Sequence, residues 1–450
     1  MNYGRWATTE ELKDVLKGVN LKTGVQKSGT PIMYDDEYLY IDDNGSHNLV
    51  VGSTGSGKTQ SITLPMIKLS LLAGESVLVN DPMGEMYTNT AKKFEEEGYE
   101  VILLNFDDPK YGNNWNPLKL PYDLYKNGDK DRAMKLLEDI GYYLFRDGDK
   151  SVDPFWTNTA VNYFTGLTLY LFEHGKSEEI NMVSISNLSK DVNKDPNKFM
   201  KSIDKNSVIT ACLSGTLLAP PETRGSILSV FSQKMKLYIT RETLTSMLAN
   251  SDFDIRDICN KKVAIFMVSK LSHYVNSFIS LFISQVIESI SLYGKKEKSF
   301  NMIIEDFDEI VPIQDFARTL TYCRGLRIRI TAIIRSYALL NKMYGKEEAE
   351  MLKICFGNII YLLSDDIYTL NEISENCGNI AVGKAVVPLI TPEELKTLKT
   401  FEAVVLKTRM MPIKTKMLPD YQIDWGYEAI PKEMPLREPK NISIFELKEI

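Results

Sequence analysis

Short apolar runs alternate with amphipathic segments along most of the chain, and their order predicts the fold. Residues 48–51, 76–80 and 101–105 are apolar runs of strand length. The segments between them, 59–72 and 87–97, carry apolar residues at helical spacing. A strand–helix–strand order of this kind is typical of a parallel sheet covered by helices. The sequence therefore predicts an α/β domain with a mostly parallel central sheet.

Further strand-like runs flank this pattern on both sides. Five of them lie in the later part of the chain, at 263–268, 301–304, 328–334, 358–363 and 401–406. The run 35–42 precedes the first predicted strand and indicates an antiparallel hairpin or an edge strand.

The middle of the chain has a helical pattern only. Helices are predicted at 131–145, 155–172, 181–188 and 221–239. Asp153 and Pro154 supply an N-cap and a first-turn proline to the second of these. We therefore expect an all-α insertion within the α/β domain and a Pro-rich, charged and extended tail. The predicted boundaries are 1–120, 121–250, 251–420 and 421–450.

Seven aromatic residues recur in the first two of these predicted helices. Helix core is the main interpretation, and a substrate-docking surface is the alternative. The residues are Tyr142, Tyr143, Phe145, Phe155, Trp156, Tyr163 and Phe164.

Composition excludes several classes of protein. The net charge is −7, which excludes a generally basic protein that coats nucleic acid. Five cysteines without a CxxC pair and three histidines argue against a zinc site and for a reduced, cytoplasmic setting. The most apolar segment, 278–293, contains Ser280, Gln285 and Glu288, which indicates a helix of a soluble domain.

The strongest chemical signal is a glycine-framed loop after the first strand of the sheet. It satisfies GxxxxGK[ST] at every fixed position, follows a strand and opens a helix. In such a loop the backbone N–H groups surround phosphates, Lys58 reaches the β- and γ-phosphates, and the Thr59 hydroxyl ligates Mg²⁺. We therefore expect ATP and Mg²⁺ as cofactors. The loop consists of Gly52, Ser53, Thr54, Gly55, Ser56, Gly57, Lys58 and Thr59.

A phosphate loop also needs a carboxylate at the end of a neighbouring strand, to hold Mg²⁺ through water and to polarise the attacking water. The apolar run 300–304 ends in Glu305 and Asp306, so the site is assigned to this pair. Asp308 and Glu309 are the competing pair. Because they lie past the strand end, a solvated turn or a helix start is their simpler interpretation.

With these residues placed, the chain resembles the type IV coupling protein family, the TraG/TraD-like ATPases of bacterial conjugation and type IV secretion. The similarity runs from about Gly4 to Gly378. Apart from the phosphate loop, each motif alone is weak evidence for the family. The strong evidence is that the motifs occur in the family's order over most of the chain. The motifs lie at 4–8, 47–52, 81–85 (DPMGE), 116–118 (NPL), 153–156 (DPFW), 222–226 (ETRGS), 251–254 (SDFD) and 305–307 (EDF).

The resemblance implies a RecA-like motor domain with an inserted helical domain that docks substrates. It implies a homo-oligomeric ring, usually a hexamer, at the cytoplasmic face of a secretion channel. The implied partners are a DNA–relaxase complex, the channel ATPases and inner-membrane components. ATP hydrolysis would drive the transfer of this substrate.

The chain departs from the family pattern at three positions. The family usually has Asp-Glu where this chain has Glu305 and Asp306, and its DPKGE lysine is Met83 here. Arg335 replaces a glutamine that is a plausible phosphate sensor. Arg335 is a candidate catalytic arginine that stabilises charge in the transition state. The alternative is that it packs at an interface or pairs with Glu305 or Asp306. We expect slow hydrolysis with nucleotide binding retained.

Basic residues give candidates for contacts with a neighbouring subunit and with DNA. Arg224 and Arg324, and with less support Arg318, are candidates for an arginine that reaches the next subunit's phosphates, against the alternative of surface ion pairs. DNA without sequence preference would bind to basic clusters, whose alternative is a solvated face. The clusters are Arg324, Arg327 and Arg329 (with 327 and 329 on one strand face), Lys295 to Lys298, and Lys407 to Lys416.

Relatives commonly carry transmembrane helices before the segment that resembles 4–8, and this sequence begins there. The expectation is a trimmed soluble piece or a form tethered by a separate membrane protein. Two other functions stay open beside the energising ATPase. One is a docking platform of the same fold that binds ATP with little hydrolysis, and the other is a DNA pump of the FtsK or HerA kind.

Overall fold

The computed structural model describes residues 4–35, 37–145, 153–270, 275–294 and 298–448. Its contacts divide into two compact units. The first comprises Met1–Leu103, Cys259–His273 and Ile290–Glu433, and the second comprises Leu104–Ile258, Tyr274–Ser289 and Met434–Ile450.

Within the described residues the strands form one large sheet and two small ones. The strands are β1 (Lys17–Val19), β2 (Thr30–Tyr34), β3 (Leu39–Asp42), β4 (Asn48–Gly52), β5 (Ser76–Asn80), β6 (Glu100–Asn105), β7 (Val263–Val268), β8 (Phe300–Ile304), β9 (Ile328–Ile334), β10 (Asn358–Leu363), β11 (Asn379–Val382), β12 (Ala385–Pro388), β13 (Glu402–Lys407) and β14 (Ile413–Lys416). The large sheet has the order β14-β13-β10-β4-β9-β8-β5-β7-β6.

The large sheet is parallel from β10 through β7 and antiparallel at the β10–β13–β14 edge. Every residue of β4, β7, β8 and β9 is buried. Such continuous apolar runs are typical of strands covered by helices on both faces. The predicted α/β class with a mostly parallel sheet is confirmed. The predicted hairpin is formed by β2 and β3 and starts earlier than the sequence pattern indicates, in a separate sheet with β1.

The α-helices of the described residues cover most of the remaining regular structure. They are α1 (Thr9–Val15), α2 (Leu64–Ala73), α3 (Glu85–Glu96), α4 (Lys119–Lys126), α5 (Lys130–Phe145), α6 (Pro154–His174), α7 (Met182–Val192), α8 (Pro196–Ser202), α9 (Val208–Leu217), α10 (Pro221–Thr240), α11 (Glu242–Ala249), α12 (Asn276–Tyr293), α13 (Phe316–Gly325), α14 (Tyr337–Tyr344), α15 (Lys346–Cys355), α16 (Ile367–Cys377) and α17 (Pro392–Lys396).

The second unit is built around α6. Asp153 caps this helix by accepting a hydrogen bond from the Phe155 backbone N–H, and Pro154 occupies its first position, as predicted. Most of the predicted aromatic residues are core: Phe145 stacks with Phe231, and Tyr163 meets the same ring edge to face. Phe155 is half exposed, and Tyr142 and Trp156 are partly exposed.

Residues 434–448 follow an irregular course within the second unit. Arg437 fixes them there, because its guanidinium donates to the Pro109 carbonyl, the Asn114 side chain and the Thr243 carbonyl. The described residues after 433 contain no helix or strand. Among the described residues no helix is both long and apolar enough to cross a bilayer.

Candidate functional site

The phosphate loop and the acidic pair meet at the carboxyl ends of the parallel strands in the first unit. The prediction that their strands are neighbours is wrong, because β9 lies between β4 and β8. The two motifs still meet, because the chain that connects β4 to β5 must cross over β9 and β8 before β5 can join the sheet beside β8. Helix α2 packs against β5 in this crossover. The residues that open the helix therefore lie over the end of β8.

The loop closes tightly on itself after β4. Its second and third glycines have φ angles of +80° and +90° at Gly55 and Gly57, a region that residues with a Cβ rarely adopt. A Cβ on Gly52 would lie 2.4 Å from the Ser56 hydroxyl oxygen. That hydroxyl is buried and has no hydrogen-bond partner among the described residues. The loop thus has the shape that brings backbone N–H groups close to an anion.

Lys58 lies across the loop rather than out in solvent. Its ammonium donates to the carbonyls of Gly52 at 2.7 Å and Ser53 at 3.0 Å. Burial lowers the pKa of Lys58, and the nearby carboxylates of Glu305 and Asp306 oppose that shift. The ammonium is therefore held inside the loop, next to an acidic cluster.

Glu305 accepts hydrogen bonds from the helical segment that follows the phosphate loop. Its Oε1 accepts hydrogen bonds from the hydroxyls of Thr63 at 2.6 Å and Thr59 at 3.2 Å. Both threonines belong to a single π-helical turn, Thr59–Thr63, that precedes α2. Burial raises the pKa of Glu305, and the Thr63 hydrogen bond opposes that shift. This arrangement brings a hydroxyl and a carboxylate together as oxygen ligands that suit Mg²⁺.

Asp306 lies beside Glu305 in a backbone conformation that few residues adopt. Its φ is +48°, which turns the chain sharply after β8. Asn80, at the end of β5, fixes this turn by donating to the Glu305 carbonyl at 2.6 Å. Burial raises the pKa of Asp306, and the Asp308 carboxylate adds to the shift.

The competing acidic pair is not a solvated turn, so that interpretation is wrong for Asp308. Its side chain is completely buried, and its Oδ2 accepts from the Arg335 backbone N–H and from Nε at 3.0 Å. The Arg335 guanidinium also bonds Glu309. Arg335 is therefore in an ion pair, as the alternative predicted, but its partners are Asp308 and Glu309 rather than Glu305 or Asp306. A fully buried carboxylate needs a cation nearby, which accounts for this pairing.

Asp81 directly follows β5 and belongs to the site, although the sequence pattern indicated it only as part of the motif 81–85. It is completely buried, and its Oδ2 accepts from the Tyr87 backbone N–H at 2.8 Å. Its other oxygen has no partner among the described residues. Burial raises the pKa of Asp81 to about 7, and the Glu305 charge adds to the shift. Met83, two residues on, is exposed.

Replacing Asp81 by Asn is expected to change how stability depends on pH. Because the folded-state pKa is raised above that of the unfolded chain, Asp81 lowers the free energy of unfolding as pH rises from about 4 to about 7. From pH 5 to pH 8, the free energy of unfolding of Asp81→Asn should therefore rise relative to that of wild type by at least about 1 kcal/mol. Urea denaturation at the two pH values measures this. Asp365→Asn, at an exposed carboxylate, is the control, and an equal difference at both pH values would refute the expectation.

Phe401 also contacts the loop, and no pattern in the sequence indicated it. A Cβ on Gly57 would lie 2.8 Å from the Phe401 ring, so the ring rests directly on the loop. The Phe401 backbone has a φ of +70°, which is strained for an aromatic residue. The predicted strand 401–406 begins one residue too early, since β13 begins at Glu402 and Phe401 precedes it.

The predicted basic clusters differ in how much of their charge is exposed in the structure. Arg329 is 2% exposed and Lys407 forms a buried ion pair with Asp42, so neither can face DNA as predicted. Arg327 precedes β9 with a φ of +55°, so it does not share a strand face with Arg329. Of the cluster Lys295 to Lys298, the first three residues lie outside the described residues.

The whole sequence was compared with known families. The family described as "Type IV secretory system Conjugative DNA transfer" matches residues 5–387. No curated protein is similar enough to the chain to count as a match.

Solved structures share the fold. The plasmid coupling protein TrwB in complex with a non-hydrolysable ATP analogue is 18% identical, with a TM-score of 0.69, and the match covers 98% of this chain and 96% of that one. TrwB in complex with ADP and Mg²⁺ is 16% identical, with a TM-score of 0.68 and the same coverage. VirB4 of Thermoanaerobacter pseudethanolicus is 11% identical, with a TM-score of 0.55, over 88% of this chain and 98% of that one.

Proposed function

The chain belongs to the type IV secretory system conjugative DNA transfer family, and from this premise we propose that it is a coupling ATPase that recruits a DNA–relaxase or protein substrate and energises its transfer through a secretion channel. The observation that carries the proposal is the pair of hydrogen bonds from Thr59 and Thr63 to Glu305. These bonds join the phosphate loop to the acidic pair, which is the arrangement that nucleotide hydrolysis requires.

The loop residues fit ATP and Mg²⁺. The unpartnered Ser56 hydroxyl and the positive φ angles of Gly55 and Gly57 leave loop groups for phosphate oxygens, and Thr59 and Glu305 offer oxygens to the metal. When bound, ATP supplies the bond to be broken and Mg²⁺ neutralises the charge on its phosphates.

The chain's own residues would have distinct roles. Lys58 would transfer its hydrogen bonds from the Gly52 and Ser53 carbonyls to phosphate oxygens. Glu305 would orient the metal's water ligands, and Asp306 would polarise the attacking water. Arg335 is the candidate for stabilising negative charge, and its bonds to Asp308 and Glu309 hold it at the edge of this cluster.

The proposed partners follow from the family. They are a DNA–relaxase complex, the ATPases and inner-membrane components of the secretion channel, and further copies of this chain in a hexameric ring. Substrate docking is assigned to the helical segment 121–250. DNA would bind without sequence preference, and Arg224, Arg318 and Arg324 stay candidates for the arginine that reaches the next subunit.

Nucleotide binding is the first expectation to test. ATP with Mg²⁺ should raise the melting temperature of the protein, because a ligand that binds only the folded state stabilises it. At an ATP concentration of about 100 times the dissociation constant, binding raises the free energy of unfolding by about 2.7 kcal/mol. Lys58→Ala should abolish most of the shift, as measured by differential scanning fluorimetry. Lys414→Ala, at an exposed lysine of β14, is the matched control. A shift that is equal in Lys58→Ala and wild type would contradict the proposal.

A second function of the same fold is a docking platform in which ATP is a structural or switching ligand. The exchanged carboxylates at Glu305 and Asp306 and the exposed Met83 favour it, since each departs from the family pattern. Turnover with and without single-stranded DNA distinguishes the two. Slow but DNA-stimulated hydrolysis supports the coupling ATPase, whereas binding without turnover supports the platform. Strong stimulation by duplex DNA alone would instead support a pump of the FtsK or HerA kind.

A further inference from the structure

A second polar cleft lies in the first unit, at the opposite edge of the sheet from the phosphate loop. Its lining residues stand at the amino ends of the strands: Asn44 and Gly45 precede β4, Lys298 and Ser299 precede β8, and Arg327 precedes β9. The phosphate loop and Glu305 follow the carboxyl ends of the same strands. Five strand residues at about 3.3 Å each separate the two edges by about 17 Å. The cleft is therefore separate from the nucleotide site.

The cleft, of about 550 Å³, carries an excess of positive charge although the chain as a whole is acidic. Its charged lining residues are Lys27, Lys298, Arg324, Arg327, Arg329 and Glu75. Glu75 is the only carboxylate among them, and it is already occupied. It accepts from the Ser28 hydroxyl at 2.5 Å and from the Asn301 amide at 2.9 Å.

The arginine deepest in the cleft has a donor with no acceptor. Arg329 is 2% exposed, and its terminal nitrogens donate to the Ser28 hydroxyl, the Ser28 carbonyl and the Asn301 side chain. Its Nε is buried and has no hydrogen-bond partner among the described residues. A buried donor without an acceptor is uncommon and costs free energy, so the guanidinium charge at the back of the cleft is incompletely satisfied by its neighbours.

Two of the cations nearer the surface, Lys298 and Arg324, form no ion pair with the described residues, whereas Lys27 pairs with Asp43 at 3.7 Å. The Lys298 ammonium donates to the Ala73 carbonyl, which satisfies a hydrogen bond but supplies no negative charge. Arg324 is exposed and forms no ion pair with the described residues. The resulting positive potential is felt at His47, whose pKa is lowered to about 4 by burial together with the charges of Arg324 and Arg329.

We propose that this cleft binds a compact ligand bearing phosphate groups, held by Arg324, Lys298 and the inner Arg329. Arginine and lysine together suit phosphate, because the guanidinium offers paired donors and the ammonium adds a point charge. None of the described residues that line the cleft is aromatic, so this lining lacks the stacking surface that single-stranded nucleic acid uses. A phosphorylated small molecule and the head group of an anionic lipid share the required chemistry.

Inorganic pyrophosphate is the first probe, titrated calorimetrically into the full chain carrying Lys58→Ala, so that the phosphate loop contributes little. Adding Arg324→Gln or Lys298→Gln should weaken binding about tenfold, the loss expected for one charge-assisted hydrogen bond. Lys342→Gln removes one positive charge from α14 at an exposed position outside the cleft, and should leave binding unchanged. Arg329 is not substituted, because its removal would disturb the core.

The second arm tests the lipid source by sedimentation with phosphatidylcholine vesicles that contain or lack phosphatidic acid. Binding that needs both phosphatidic acid and Arg324 supports the proposal with a lipid head group as the ligand. Pyrophosphate binding that needs Arg324, without vesicle binding, supports it with a free phosphate compound. The proposal is overturned if Arg324→Gln and Lys298→Gln change neither pyrophosphate binding nor vesicle binding. It is also overturned if the two substitutions weaken only the binding of a single-stranded oligonucleotide.

Discussion

Replacement of Glu305 by Gln is expected to reduce ATP hydrolysis at least about 100-fold, while leaving nucleotide binding and the fold intact. The Gln side chain keeps the shape of Glu and can still accept from Thr59 and Thr63. It lacks the negative charge that would orient the metal and its water ligands. Loss of one such electrostatic contact costs about 10²–10³ in rate, or about 2.7 kcal/mol and more in the barrier.

Stability distinguishes this loss from unfolding. Because burial raises the pKa of Glu305, the charged form is costly to the folded state, and the variant should melt no lower than wild type. Steady-state phosphate release and the thermal shift with ATP are the two measurements. Glu347→Gln, at an exposed carboxylate of α15 outside the site, is the matched control and should retain the activity. Wild-type rates in Glu305→Gln would remove Glu305 from the mechanism.

The largest expected loss of stability comes from Lys407→Met. The Lys407 ammonium lies 2.7 Å from Asp42, and the Asp42 side chain is completely buried. Burial would raise the pKa of Asp42, but the bonds from Lys407 and Asn358 outweigh it and hold the pKa below its ordinary value. Removing the cation leaves a buried carboxylate uncompensated, which costs about 3–5 kcal/mol.

Chemical denaturation at neutral pH measures this loss. Lys414→Met, on the adjacent strand β14 but exposed, should change the free energy of unfolding by less than about 0.5 kcal/mol. The double variant Asp42→Asn/Lys407→Met should recover much of the loss, because no charge is then left buried. An Asp whose folded-state pKa is depressed stabilises the fold above its unfolded pKa of about 4. The loss in the free energy of unfolding caused by Lys407→Met should therefore be largest at neutral pH. It should become smaller in acid, because Asp42 then takes up a proton.

Local patterns predicted the elements of the sheet and the phosphate loop. Strands β5, β7, β9 and β10 match the predicted bounds, because a buried parallel strand is a continuous apolar run between turns. Glu305 was found by the same reasoning, as the first charged residue after such a run. Each of these signals lies within a few neighbouring residues.

What the sequence did not reveal depends on contacts between distant segments. Whether β9 separates β4 from β8 is decided by pairing across the whole sheet, and no local pattern records it. A charged residue in a basic run looks solvated until its partner is known: Arg329 meets Ser28 and Asn301, and Lys407 meets Asp42. The ion pair between Arg335 and Asp308 was missed for the same reason.

A crystal structure of the protein with a non-hydrolysable ATP analogue and Mg²⁺ tests the central claim most directly. The account predicts the phosphates within the loop 52–59, and the metal about 2.1 Å from the Thr59 hydroxyl, on the side that faces Glu305. A metal held instead by Asp308 and Glu309, or an analogue bound away from the loop, would contradict it.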